Sequence, residues 1–186
     1  MHDLVAITAL GGSEPRVDTV GNVTCTEVPA VALASVAARA DRAAEARKAL
    51  AKLTGASIPE VGQFAGDNVL AFWTGPDQWM IEAPFDTHED LAQQTKNCVG
   101  DTASVSEQTD AWTRFDLEGA DVPAVLELLC ILDCRKMEPG QTARTSIHHL
   151  GCFVLCQSAI SFSLYGPRSS AGSLRHAIVA AMKSAL

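Results

Sequence analysis

Apolar residues recur along the chain with two periods, one of two residues and one of three to four, and the two alternate. Residues 31–38 are β-capable, although rich in alanine. Asp41 then stands as a cap ahead of a stretch in which Ala43, Ala46, Leu50 and Leu53 share one face at helical spacing. Gly55 follows, where a left-handed residue closes a helix. Residues 56–67 carry Pro59, Gly62 and Gly66 and read as a loop. Residues 69–74 and 78–83 predict two strands joined by the turn Gly75-Pro76-Asp77-Gln78. Proline pre-sets φ at the first central position of that turn, and Asp tolerates the second. Trp79, Ile81 and Ala83 fall on one face of the return strand. Thr87 is expected to cap the next helix, with Leu91, Thr95 and Cys98 along one side.

The order then repeats. Residues 111–117 alternate, Thr113, Phe115 and Leu117 against Trp112, Arg114 and Asp116. Asp121 caps a helix with Pro123 in its first turn and Val122, Val125, Leu126 and Leu129 as its buried stripe. Residues 142–149 and 152–156 read as paired strands around Leu150-Gly151. Ile160, Phe162 and Leu164 alternate with Ser161, Ser163 and Tyr165 until Gly166-Pro167 ends the strand. Ser170 caps a last helix with Leu174, Ala177, Ile178, Ala181 and Met182 on one face. This order predicts an α+β fold of two ferredoxin-like β-α-β-β-α halves, with antiparallel sheets and helices packed on one face. Residues 1–22, with Gly11-Gly12, Pro15 and Gly21, read as an irregular arm whose Leu4, Val5, Ile7 and Leu10 pack on a neighbouring surface. Residues 23–186 then form one duplicated domain, with halves of about 23–107 and 108–186.

Composition narrows the function classes. Of 186 residues, 47% are hydrophobic and 19% charged, a globular rather than a disordered balance. The net charge is -8 with no Lys/Arg run, which argues against nucleic acid and anionic membrane surfaces as partners. Neither an export signal nor a run of about 18 apolar residues is visible. A cytoplasmic location is therefore expected, with the six cysteines held as thiols.

Candidate chemistry is sparse. Gly11-Gly12 lacks the remainder of a dinucleotide fingerprint, and no Gly-x-Ser-x-Gly elbow occurs. Cys130-x3-Cys134 and Cys152-x3-Cys156 flank His148-His149 and invite a zinc reading. Cys152 and Cys156 on one strand stand roughly 13 Å apart, too far to share an ion whose Zn–S bonds are about 2.3 Å. On a strand, the two histidines point to opposite faces. Cys130 falls near the helical stripe, as a small hydrophobe. Asp77 is either a lone carboxylate beside Trp73 and Trp79 or a turn residue, and the turn accounts for it. Trp73 and Trp79 are expected to pack as a cross-strand pair, with one hairpin edge open to a partner. Arg114, Arg144 and Arg168 sit on or beside predicted strands, where arginine pairs with carboxylates of a neighbouring element or partner. The Trp112-x-Arg114-x-Asp116 face suits a partner surface and a plain core-plus-surface arrangement equally. No catalytic, cofactor-binding or metal residue is expected. The partner-interface candidates are Trp73, Asp77, Trp79, Trp112, Arg114, Arg144 and Arg168.

Four segments, in order, carry a resemblance: ALGGSEPRVDTVGNVTCTEVPAVALASVAAR (residues 9–39), WTGPDQWMI (73–81), LLCILDCRKMEPGQTARTSI (128–147) and FSLYGPRSSAGSLRHAI (162–178). Together they resemble the gamma subunit of heterotetrameric sarcosine oxidase over nearly the whole chain. Arg168-Ser169 matches an Arg-Ser pair that family often carries ahead of its last helix. Tyr165-Gly166-Pro167 departs from it, as does the cysteine- and serine-rich late hairpin. The resemblance implies a fold similar to the folate-binding domain of aminomethyltransferases. It implies a structural subunit without catalytic residues, in an assembly that oxidatively demethylates sarcosine with tetrahydrofolate as one-carbon acceptor. FAD, FMN and NAD are then carried by the alpha and beta partner subunits and zinc by the delta subunit. The alternative is a free-standing folate-binding module of one-carbon metabolism. The Lys-Gly-Cys-Tyr signature of some such proteins is absent around all six cysteines.

Overall fold

The computed structural model describes residues 5–186. Leu4, assigned above to the arm, lies outside the described residues. The chain first forms a hairpin, β1 (Val17–Val20) and β2 (Val23–Val28), in which Val17 faces Thr26 and Val20 faces Val23. Then follow β3 (Val31–Ala38), α1 (Ala43–Thr54), β4 (Phe64–Gly66), β5 (Leu70–Gly75), β6 (Gln78–Pro84), α2 (Leu91–Val99) and β7 (Ala103–Glu107). The remainder is β8 (Trp112–Glu118), α3 (Val122–Leu129), β9 (Thr142–Ile147), β10 (Leu150–Ser158), β11 (Ser161–Pro167) and α4 (Ala171–Ala185).

These elements divide into two units. One is Ala30–Thr109, with an antiparallel sheet in the order β4-β5-β6-β3-β7. One face carries Ala32, Ala34, Val36, Ala71, Trp79 and Ile81, which pack with Ala46 and Leu50 of α1 and Leu91 and Val99 of α2. The alanines of β3, which weakened its strand signal, provide small side chains in this core. The other unit joins Asp110–Leu186 to the segment ending at Pro29, with the order β1-β2-β8-β11-β10-β9. Its helix-covered face holds Val23, Cys25, Phe115, Leu117, Val154, Phe162 and Leu164 against α3 and α4.

The two strand orders are the same pattern. β3, β5, β6 and β7 correspond to β8, β10, β11 and β2, with β4 matching β9 and β1 added outside. In the first unit the strand beside β3 comes from the chain after α2. In the second, the place beside β8 is filled by β2, from the start of the chain. The α+β fold of duplicated, ferredoxin-like design is thus present, but its units are not the consecutive halves 23–107 and 108–186. Residues 17–20 of the expected irregular arm are a strand, and β7 adds a strand that the alternation did not reveal.

Further local differences have local causes. β11 runs through Gly166 and Pro167, which face Thr113 and Trp112 of β8, so Gly166-Pro167 does not end the strand. The turn between β9 and β10 is His148-His149, both at positive φ (50° and 68°), and not Leu150-Gly151. A two-residue hairpin with positive φ at both positions matches the twist of its strands, and here histidines adopt it. Asp41 lies at φ 62° one residue before the first residue of the α1 turn, Arg42, and does not cap it. Thr87 bonds to the Pro84 carbonyl rather than capping α2. Asp121 and Ser170 stand at the starts of α3 and α4 but make no side-chain cap bond, because their ψ of 10° and 18° lies outside the extended region a capping residue uses. Asp121 accepts instead from Asn22 Nδ2 at 2.7 Å.

Gly119 leaves β8 at φ 140°, and its N–H donates to Ile160 O at 2.9 Å. A Cβ there would stand 2.0 Å from Asn22 O, a backbone atom. The crossing between the β1–β2 turn and β8 therefore admits no side chain. Gly119→Ala is expected to lower unfolding free energy by about 2 kcal/mol or more, read as a reduced urea midpoint of the purified chain.

Candidate functional site

The face of the six-stranded sheet opposite its helices carries a continuous row. Register places Arg144 opposite Phe153, Phe153 opposite Tyr165, Tyr165 opposite Arg114, and Arg114 opposite Val28. Side chains on this row alternate with the core residues of the same strands and so project away from α3 and α4. The Arg144 guanidinium lies 5.7 Å from the Phe153 ring centre, and that of Arg114 lies 5.9 Å from the Tyr165 ring. Trp112 meets Phe153 at 5.3 Å with a 53° tilt. Arg114 grips Asp116, two residues along its own strand, by two bonds of 2.8 Å. Phe153 and Tyr165 are buried, Trp112 and Arg114 are half-buried, and Arg144 is exposed.

This row unites three of the seven interface candidates, Trp112, Arg114 and Arg144, and adds Phe153 and Tyr165. Chemically it offers planar cations held over aromatic rings. The Arg114 fork is taken up by Asp116, whereas exposed Arg144, held over Phe153, presents its guanidinium to solvent with its orientation fixed at low entropic cost. Arg168 stands apart in the 3₁₀ turn before α4. Its Nη2 donates to Ile7 O at 3.3 Å, and it lies 3.7 Å from Asp110, so it ties down the N-terminal arm.

The other three candidates belong to Ala30–Thr109. Trp79 is a core residue and offers no surface to a partner: it is buried, its Nε1–H donates to Pro59 O at 3.1 Å, and the Arg47 guanidinium lies 5.3 Å from its ring. Trp73 faces Trp79 across the hairpin and is half-buried, as the cross-strand reading expects. Asp77 is the second turn residue, exposed at φ 51°, and its carbonyl accepts from Ala38 N–H at 3.0 Å.

A feature absent from the sequence reading lies beneath the arm. Glu27, on the buried face of β2, accepts from Leu10 N–H at 3.0 Å and Arg16 N–H at 3.1 Å. A cleft of about 560 Å³ opens there, lined by Thr8, Leu10, Arg16, Glu27 and Arg175 among others. The signal was present in Val23-x-Cys25-x-Glu27, a carboxylate at an apolar position of a strand. Beside it Arg175 of α4 donates through Nε to Asp18 of β1 at 2.6 Å. Among the described residues no group of three or more His, Cys, Asp or Glu is placed to hold a metal ion, and no helix is long and apolar enough to cross a membrane.

Hydrogen bonding from Arg175 holds the Asp18 carboxyl below its ordinary value despite partial burial. The unfolded value is about 3.9. The pair's contribution is therefore complete above about pH 4 and is lost as pH falls through the lower folded value. Asp18→Asn is expected to flatten the fall of stability below pH 4 relative to the native chain, measured by urea unfolding at stepped pH. Parallel curves would show the pair to be energetically idle.

No family model matches the chain, and no curated protein matches it. Among solved structures it is similar to a chain of the heterotetrameric sarcosine oxidase from Corynebacterium sp. U-96, solved in complex with pyrrole 2-carboxylate. That match has a TM-score of 0.76 and 23% identity, over 89% of this chain and 87% of that one. It is also similar to the glycine cleavage system aminomethyltransferase T from Bartonella henselae, with a TM-score of 0.59 and 14% identity. Here 86% of this chain covers 48% of the other. The fold is shared with both.

Proposed function

We propose that this chain is a non-catalytic structural subunit, of the gamma type, in a cytoplasmic heterotetrameric sarcosine oxidase. The observation that carries this reading is the nearly end-to-end match to one chain of such an assembly, since the matched shares of the two chains are almost equal. Arg144, exposed and with its guanidinium over the Phe153 ring, supports it by supplying a residue type enriched at protein interfaces. In this reading the alpha, beta and delta subunits are its partners. FAD, FMN, NAD and zinc reside in them, and the whole assembly demethylates sarcosine with tetrahydrofolate as acceptor. The chain's own task is to stabilise the complex.

Co-expression of the other three subunits with and without this chain tests the reading. Omission is expected to abolish recovery of the intact complex and most sarcosine turnover. An Arg144→Ala chain is expected to fold normally yet assemble less tightly. Full assembly and turnover without the chain would end the proposal.

The aminomethyltransferase match favours a second reading, a free-standing folate-binding module. Calorimetric titration of the isolated chain with tetrahydrofolate separates the two. The structural-subunit reading expects no stoichiometric binding, whereas saturation at one equivalent would favour the module.

A further inference from the structure

β9 is the last strand of the six-stranded sheet and pairs on one side only, with β10. Its residues, Thr142–Ile147, include no proline or lysine, and the pairing runs from Ile147–Leu150 to Thr142–Leu155 without a register shift. Neither proline nor bulge therefore blunts this edge, and its single charge is Arg144. The two-residue turn at His148-His149 settles which backbone groups face outward. Ile147 and Leu150 close the turn as a hydrogen-bonded pair, and alternation then directs Thr145 and Ala143 towards β10. The Cys156 N–H donates to Gln141 O at 2.9 Å, in the same phase, at the other end of the pair. The N–H and C=O of Arg144 and Ser146 consequently point away from the sheet, and both residues are exposed. Thr142 shares their phase but is buried.

The Arg144 side chain adds a charge to this edge. Its guanidinium lies 5.7 Å from the ring centre of Phe153, directly opposite on β10. Arg42, Arg47, Arg114, Arg135 and Arg175 each meet a carboxylate. Among the described residues none pairs with Arg144, although the chain holds 22 acids and a net charge of -8. A guanidinium stacked on a ring keeps its fork available for a carboxylate from elsewhere. A second copy of this chain is a poor source. Outward-facing residues pair only with outward-facing residues. Two-fold pairing of β9 with itself therefore sets Arg144 opposite its own copy, or opposite Ser146 or Thr142 with the two arginines on a diagonal. Like charges so placed repel, whereas a strand that brings an acid to that place is attracted.

We propose that β9 accepts an extended, acidic segment of a partner subunit as a further strand of the sheet, with an Asp or Glu of that segment on Arg144. The inference rests on the reading of this chain as a subunit of a larger assembly and names how one contact of that assembly is made. Main-chain bonds to Arg144 and Ser146 attach the segment, and the carboxylate on Arg144 fixes its register.

The test compares amide deuterium exchange, read at single residues by electron-transfer fragmentation, in the isolated chain and in the complex co-expressed with the alpha, beta and delta subunits. In the isolated chain the amides of Ala143, Thr145 and Ile147 are expected to exchange slowly and those of Arg144 and Ser146 fast. In the complex the Arg144 and Ser146 amides are expected to slow by at least about ten-fold, through new hydrogen bonds. Ser146→Pro removes an outward N–H without touching the bonds to β10, and Arg144→Glu reverses the charge. Each is expected to weaken assembly by about ten-fold or more while leaving the circular dichroism of the chain unchanged. A complex in which the Arg144 and Ser146 amides stay fast would overturn this proposal and leave the structural-subunit reading standing. Slowing of those amides in the isolated chain as it dimerises would overturn it in favour of a second copy. Failure of the subunits to form any complex would end both. The exchange of the native chain decides the matter even if a variant fails to fold.

Discussion

The pairing of β2 with β8 is the constraint on which the larger unit rests. It places Val23 and Cys25 in the helix-covered core and closes the edge of β8, which would otherwise present unpaired backbone groups. It also brings Glu27 to the buried end of the strand. A carboxylate there is tolerable only when its oxygens are satisfied, and the N–H groups of Leu10 and Arg16 satisfy them. One strand pairing therefore determines the position of the N-terminal arm, and the Arg168 and Arg175 contacts hold the arm and β1 from the other side.

Elements with strong periodicity were legible in the sequence. The buried stripes of α3 and α4, the 75–78 turn and the alternation of β8 all follow directly from spacing, because each is decided by contacts within one element or its immediate neighbour. The misses were decided elsewhere. β2 conceals its strand character behind a buried glutamate whose partners lie earlier in the chain. β7 is short and serine-rich and exists because β3 offers it an edge. His148-His149 adopts a conformation usually given to glycine or asparagine, which no local preference would foretell. The missing helix caps likewise reflect chain entry angles set by packing.

The site was legible in pieces. Trp112 and Arg114 share a strand face by simple alternation, and Arg144 was a separate suspicion. Their union depends on the register of β9, β10 and β11, which pairing rather than sequence distance determines. Phe153 and Tyr165 went unnoticed as site residues because, read singly, each is an ordinary apolar position. Cys130, read as a small hydrophobe near the stripe of α3, stands where the helix ends and packs partly buried against the same core.

The nested layout has a consequence for biosynthesis. β2 leaves the ribosome well before β8, and all of Ala30–Thr109 is made in between. At about 5–20 residues per second, the wait is on the order of ten seconds. The inserted unit contains all its own strands and can acquire its core first. The opening strand meanwhile stays unpaired, with its acidic side chain hydrated, and is among the earliest pieces synthesised but among the last to find its partner. Translation speed and chaperone access during that interval then bear on how much of this chain reaches its native pairing.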